Sequence, residues 1–360
     1  MHQTAIIRFI RHYFGWRNWS VFVYNTLIEN VFVLFYVALR HQLYSLRFVA
    51  DFFIFVFFSA LCTSYGYLLN DLSDKELDRV HEKSNTFSED TFGKALLIVL
   101  FFLFLCIVFG IPFMMNRLFL PIWLGWLFLT TAYSARPFRL KEKGKLGLIC
   151  VVLAQRVLPV CWMYTAFSYY VWSDWIVFTT YILFRGLSSD LNHQLEDYHK
   201  DMSTKTYTYA VEAGLRKAEK IFRFSLESEN VLLGISLLII YLRLPQFRFH
   251  GVSLILPVLL VHALSYGIAW RKMRFGGSNI DINPFKAGRK DIFQFMHHAF
   301  PSVLLPLYLL AVLACHSWVF LIPMLFLLFY RGFFSMGIAR YGTFHALFRT
   351  VRSGFQNRRQ

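Results

Sequence analysis

Charged side chains are scarce in this sequence: Asp, Glu, Lys and Arg make up 16% of its 360 residues, while 57% are apolar and 19% aromatic. That balance excludes a disordered, highly charged chain. Acid is scarcer still, with 21 Asp and Glu against 37 Lys and Arg, so any clustering of carboxylates is informative. Cysteine is also sparse. Cys62, Cys106, Cys150, Cys161 and Cys315 sit in apolar stretches without ligand spacing, which excludes a disulfide framework and a zinc site. No Pro/Gly/Ser-rich linker interrupts the chain, which predicts a single domain over residues 1–360. The start, Met1-His2-Gln3-Thr4 and a basic stretch to Arg17, lacks a small-residue cleavage site, so the first apolar segment is expected to remain as an anchor.

What fills the chain is apolar sequence in runs near the roughly 20-residue length that spans a bilayer. Ten candidate segments follow one another: 21–39, 48–69, 95–113, 118–133, 146–167, 172–191, 222–244, 252–270, 292–315 and 319–334. They predict an all-α, polytopic membrane bundle of nine to ten helices. The fourth and tenth are short, and the seventh carries Glu227 and Glu229 near its start. A net charge of +16 invites a nucleic-acid partner, but its distribution argues against one. With ten spans, Arg8, Arg11, Arg17, the loops 70–94, 134–145, 196–221 and 271–291, and the tail with Arg349, Arg352, Arg358 and Arg359 share one side. The other side holds Arg40, Arg47, Arg117, Arg243 and Arg248. This bias places the termini and the basic loops in the cytoplasm. For a bacterial chain the inner membrane is the expected location.

The carboxylates gather in two clusters, each at the end of an apolar segment. Asn70, Asp71, Asp74 and Asp78 close the second, and on a helix they fall on one face. Asp190, Gln194, Asp197 and Asp201 repeat the pattern after the sixth. Aligned carboxylates beside hydrocarbon require counter-charge, and hard divalent cations carrying a phosphorylated ligand supply it. A weak internal repeat accompanies the clusters. The loop after the fourth segment runs Arg136-Pro137-Phe138-Arg139-Leu140-Lys141-Glu142-Lys143-Gly144, and the one after the eighth runs Asn283-Pro284-Phe285-Lys286-Ala287-Gly288-Arg289-Lys290. Glu29, Arg156 and Arg185 lie inside segments one, five and six, where they read either as a buried Glu29–Arg156 pair or as a polar chamber wall that contacts the acceptor.

Asn70-Asp71-x-x-Asp74-x-x-x-Asp78 resembles the first signature of the UbiA superfamily of intramembrane prenyltransferases. Asp197-x-x-x-Asp201, followed by Thr204-Lys205-Thr206, resembles the second. Tyr133-Ser134, Pro137-x-Arg139-Leu140-Lys141 and Gly144-Lys145-Leu146-Gly147 are similar to the loop between them. The matches fall in family order over about residues 20–270, leaving 271–360 as further helices and a basic tail. Arg79–Thr86 lacks the Arg-Pro pair that many members carry, which leaves the pathway branch open.

The resemblance implies helices around a central cavity and Mg2+-dependent transfer of a prenyl group from its diphosphate to a lipophilic, by family precedent aromatic, acceptor. The implied metal ligands are Asn70, Asp71, Asp74 and Asp78 on one side and Asp197 and Asp201 on the other. Asp74, Asp78, Asp197, Asp201 and Lys141 would carry the chemistry. Lys83, Arg139, Lys141 and Lys205 are candidate cations for phosphate oxygens. Tyr133, Asp190, His193 and Gln194 complete the expected substrate contacts. The partners are then the prenyl diphosphate, the acceptor and membrane lipid, with no obligatory protein partner. The competing reading is a cation- or proton-coupled transporter. Its site would lie near the midplane on broken helices, whereas these rows begin at helix ends.

Overall fold

The computed structural model describes residues 5–14, 21–22, 25–80, 82–275, 280–286 and 289–336, the last six without side chains. Arg17, the tail arginines Arg349, Arg352, Arg358 and Arg359, and Ala287 and Gly288 of the second Pro-Phe-basic loop lie outside the described residues. In chain order the helices are α1 (Ala5–Tyr13), α2 (Phe32–His41), α3 (Leu46–Val80), α4 (Phe92–Met114), α5 (Phe119–Ser134), α6 (Gly144–Ala166) and α7 (Trp172–Glu196). They continue as α8 (Tyr198–Ser203), α9 (Tyr209–Ala213), α10 (Leu215–Arg243), α11 (Leu256–Phe275), α12 (Ile292–Ala314) and α13 (Leu321–Met336). A hairpin of β1 (Arg248–Phe249) and β2 (Val252–Ser253) is the one sheet among the described residues. The fold is all-α. Helices α3, α4, α6, α10 and α12 are long and apolar enough to cross a membrane, and Phe32–His41, Phe119–Ser134 and Trp318–Tyr330 are shorter apolar helices.

The first predicted segment is corrected. A single helical turn, Thr26–Glu29, is separated from α2 by a turn at Asn30 and Val31. Asn25 starts that turn by accepting the Ile28 N–H at 3.2 Å. Its amide is fixed in place by Ser59, which donates to Oδ1 at 3.2 Å, and by Thr63, which accepts from Nδ2 at 3.3 Å. A short polar side chain that competes for backbone N–H groups favours such starts over helix interiors.

The chain forms two compact units, one from Met1–Ile28 and Ala50–Glu229, the other from Glu29–Val49 and Asn230–Gln360. Both acidic clusters belong to the first, and the second Pro-Phe-basic loop to the second, so the units do not follow the predicted repeat. The first unit has an aromatic interior. Phe58 meets Phe119 and Trp162 at 5.7 and 5.4 Å, and Tyr65 meets Trp126 at 6.0 Å. Leu97, Phe104 and Ile111 on α4 are exposed, as suits a helix whose outer face meets lipid.

Proline shapes α6. Pro159 has no N–H for the carbonyl of Gln155, and the helix widens into a π-turn over Leu153–Val157. The released Gln155 carbonyl accepts the Thr26 hydroxyl at 2.6 Å. Within the widened turn, Arg156 crosses α7 where Gly186 leaves room, since a Cβ there would lie 2.5 Å from Arg156 Cγ. Its guanidinium then donates to Thr26 Oγ1 at 3.3 Å and Ser189 Oγ at 3.2 Å.

In the second unit, Phe32–Leu39 of α2 are all buried, consistent with a helix apolar on every face. Asp291 caps α12 by accepting from the N–H groups of Phe293 and Gln294. The π-turns that follow, Phe295–Leu304, carry Pro301.

Candidate active site

The row on α3 is two rows. At about 100° per residue, Asn70 and Asp74 lie roughly 40° apart, while Asp71 and Asp78 share a face about 90° from Asn70. Asp71 and Asp78 turn to the loop that follows the helix. Asp71 Oδ2 accepts from the Thr86 N–H at 3.0 Å and the Thr86 hydroxyl at 2.7 Å, and the residue is fully buried. Asn85 Nδ2 donates to Asp78 Oδ2 and to the Asp71 carbonyl, each at 2.8 Å. These two carboxylates anchor residues 82–91, which corrects the expectation of one continuous metal-facing row. Asn85 and Thr86 carry no charge and went unnoticed in the sequence.

Asn70 and Asp74 face the loop after α5. Lys141 Nζ donates to Asn70 Oδ1 at 2.9 Å and to Asp74 Oδ2 at 2.5 Å. Arg139 donates to Asp74 Oδ1 at 2.9 Å and to Glu142 Oε1 at 2.6 Å. Ser134 adds a hydroxyl to Asn70 Oδ1 at 3.2 Å. Both oxygens of Asp74 are thus held by cations that the sequence had assigned to phosphate. Burial pulls the Lys141 amine below the usual lysine range, and the nearby Arg139 adds to this while Asp74 opposes it.

The second row is bent. Helix α7 ends at Glu196, Asp197 leaves helical geometry, and α8 resumes, with the Asp201 N–H still bonded to the Asp197 carbonyl at 2.8 Å. Burial pushes the Asp201 carboxyl up, and the neighbouring Asp197 charge pushes the same way. Tyr133, at the end of α5, lies within electrostatic reach of Asp190, Asp74 and Asp201. Asp190 Oδ2 is buried without a hydrogen-bond partner, and the residue lies within electrostatic reach of Arg156 and His193.

The remaining candidates sit elsewhere. Gln194 Oε1 accepts the Ala210 N–H at 3.1 Å and so supports the start of α9. His193 is exposed, with Nδ1 3.3 Å from Asp197 Oδ2. Lys83 and Lys205 are exposed, and Lys205 occupies a left-handed turn with φ 55°.

A clamp joins the loop carrying Arg139 and Lys141 to the segment that follows the second cluster. The Gly144 N–H donates to the Tyr207 carbonyl at 2.8 Å, and the Lys145 N–H donates to Glu212 Oε2 at 2.7 Å. Gly144 has φ +47°, and a Cβ there would lie 1.7 Å from Glu212 Oε2. Glu212 gave no signal in the sequence, because its partner is 67 residues away. Gly144→Ala should cost about 1–2 kcal/mol in backbone conformation alone and should dislodge Glu212. The expected result is a lower thermal midpoint and a roughly ten- to hundred-fold fall in turnover as the loops lose register. A wild-type midpoint and turnover in this variant would mean the clamp is dispensable.

Comparison with known proteins identifies the family. Residues 31–282 match the UbiA prenyltransferase family. Among solved structures, the chain is similar to a UbiA homolog from Archaeoglobus fulgidus bound to DMAPP and Mg2+, at 18% identity and a TM-score of 0.51, covering 81% of this chain and 99% of that one. The same homolog bound to GPP and Mg2+ aligns at 19% identity and a TM-score of 0.49, over 82% and 100% of the two chains. No curated protein sequence matched. The family match spans most of the chain and includes both acidic clusters and the loop between them, and so this chain belongs to the UbiA prenyltransferase family.

Proposed function

We propose that the chain catalyses Mg2+-dependent transfer of a prenyl group from an allylic diphosphate to a lipophilic, aromatic acceptor dissolved in the membrane. The observation that carries this reading is the facing of Asn70 and Asp74 by Lys141 and Arg139. The Archaeoglobus fulgidus homolog bound to DMAPP or GPP with Mg2+ supports the substrate class.

The donor set fits a hard divalent ion. Asn70 Oδ1 and Asp74 Oδ2 already converge on one cation, the Lys141 ammonium, and Asp190 Oδ2 is a buried oxygen without a partner. Asn70 and Asp74 would hold one ion and Asp197 and Asp201 the other. Among the described residues no three His, Cys, Asp or Glu side chains form a complete cage, which suits an ion that shares its shell with phosphate and water. When bound, Mg2+ neutralises the charge that builds on the departing diphosphate.

The protein's own groups do the rest. Arg139 and Lys141 receive the non-bridging oxygens. As the allylic C–O bond breaks, its electron pair leaves with the diphosphate. The acceptor then forms the new bond to the allylic carbon and gives up a proton. The excess of Lys and Arg on the loops around the site supports a cytoplasmic-facing site, in the inner membrane for a bacterial chain.

The test is product mass from purified protein, geranyl diphosphate and a panel of lipophilic phenols, with Mg2+ or with excess EDTA. Prenylated product with Mg2+ and none with EDTA is expected. Full transfer in EDTA would reject the metal dependence, and no prenylated product under either condition would revive the transporter alternative.

A further inference from the structure

We infer that Lys141 occupies the first metal position when no substrate is bound, so that metal and diphosphate enter together. This rests on the metal–diphosphate reading above and extends it to the order of binding. The ammonium lies between Asn70 Oδ1 and Asp74 Oδ2, at 2.9 and 2.5 Å, while Arg139 holds the other oxygen of Asp74 at 2.9 Å. These are the two oxygens a divalent ion on α3 would use, at about 2.0–2.1 Å for Mg2+. An ion there and the ammonium would share the same ligands at contact distance, where like charges repel strongly in a site screened from water.

The ammonium must therefore leave when the ion arrives. Lys141 and Asp74 side chains are only 13% and 14% exposed, so the displaced charge does not escape into open water at the same spot. An incoming diphosphate gives it an anionic partner a short swing away. Metal binding alone forfeits the Lys141 contacts, whereas metal with diphosphate regains them on phosphate oxygens. By linkage, each ligand raises the affinity for the other by the same factor. A neutral side chain at 141 removes the competitor and with it most of the coupling.

The experiment is Mn2+ titration of detergent-purified protein, followed by electron paramagnetic resonance, with and without inorganic pyrophosphate. Wild type should bind Mn2+ weakly alone and roughly ten- to hundred-fold more tightly with pyrophosphate. Lys141→Met should bind Mn2+ alone about ten-fold more tightly than wild type and gain less than three-fold from pyrophosphate. Lys141→Gln provides the same comparison should the methionine variant fail to fold. Coupled binding in wild type, with Mn2+ affinity unchanged or weaker in a folded neutral variant, would overturn the inference and leave the proposed function intact. Absence of Mn2+ binding in every protein, with pyrophosphate present, would reject both.

Discussion

Asp74→Ala is expected to lower Mg2+-dependent prenyl transfer by about a thousand-fold, the upper end of what removing one preorganised electrostatic partner costs. The substitution removes an oxygen donor from α3 and releases Lys141 and Arg139 from the Asp74 carboxylate that they share. The metal would then be held by Asn70 alone on that side. Because the stabilising interaction counts most as the diphosphate departs, turnover should fall more than substrate affinity. The measurement is transfer of labelled prenyl from geranyl diphosphate across a substrate series, with size-exclusion behaviour as the folding check. A folded Asp74→Ala protein within ten-fold of wild type would place the metal elsewhere.

Glu229→Ala should act on stability. Its carboxylate lies 3.4 Å from Arg185 Nη1, and both side chains are almost wholly buried, at 2% and 5% exposure. Ser188 donates to Glu229 Oε2 at 3.1 Å, and Arg185 also donates to the Tyr181 hydroxyl at 3.0 Å. Deleting the glutamate leaves Arg185 without this anion in a medium of low dielectric, at a cost of about 3–5 kcal/mol. The expected readout is a sharp drop in thermal midpoint in detergent. The double variant Arg185→Met/Glu229→Leu should recover much of it, since a well-packed apolar pair often equals a buried ion pair. A single variant as stable as wild type would show that Arg185 reaches compensation without Glu229. Arg185 thus joins α7 to α10 through a pair with Glu229, which the sequence reading did not foresee.

The helices and the two acidic clusters were legible because each leaves a local trace: apolar length, and carboxylates at helical spacing. Phase was the first limit. Asn70, Asp71, Asp74 and Asp78 span about 100° of helix, wide enough to serve two neighbours, and the partners Asn85 and Thr86 are ordinary loop residues by composition. The cations Arg139 and Lys141 were visible as a basic loop, but their hold on Asp74 depends on folding across 65 and 67 residues. Gln194 read as a member of the acidic face, yet its amide serves the backbone of Ala210. Pro159 opens the hydrogen bonding of α6, since it has no N–H to give the Gln155 carbonyl. That the freed carbonyl would be met by Thr26, 129 residues earlier, had no local signal.

The clamp at Gly144 has a kinetic corollary. Two main-chain donors, Gly144 N–H and Lys145 N–H, tie the segment carrying Arg139 and Lys141 to the segment that follows Asp201. No hinge can operate between those segments without breaking both bonds. Lid-like closure of one loop over the other is therefore a poor description of turnover here. The frame stays preorganised, and the rearrangement that admits and releases substrate falls to the long side chains of Arg139 and Lys141 rather than to the loops that carry them.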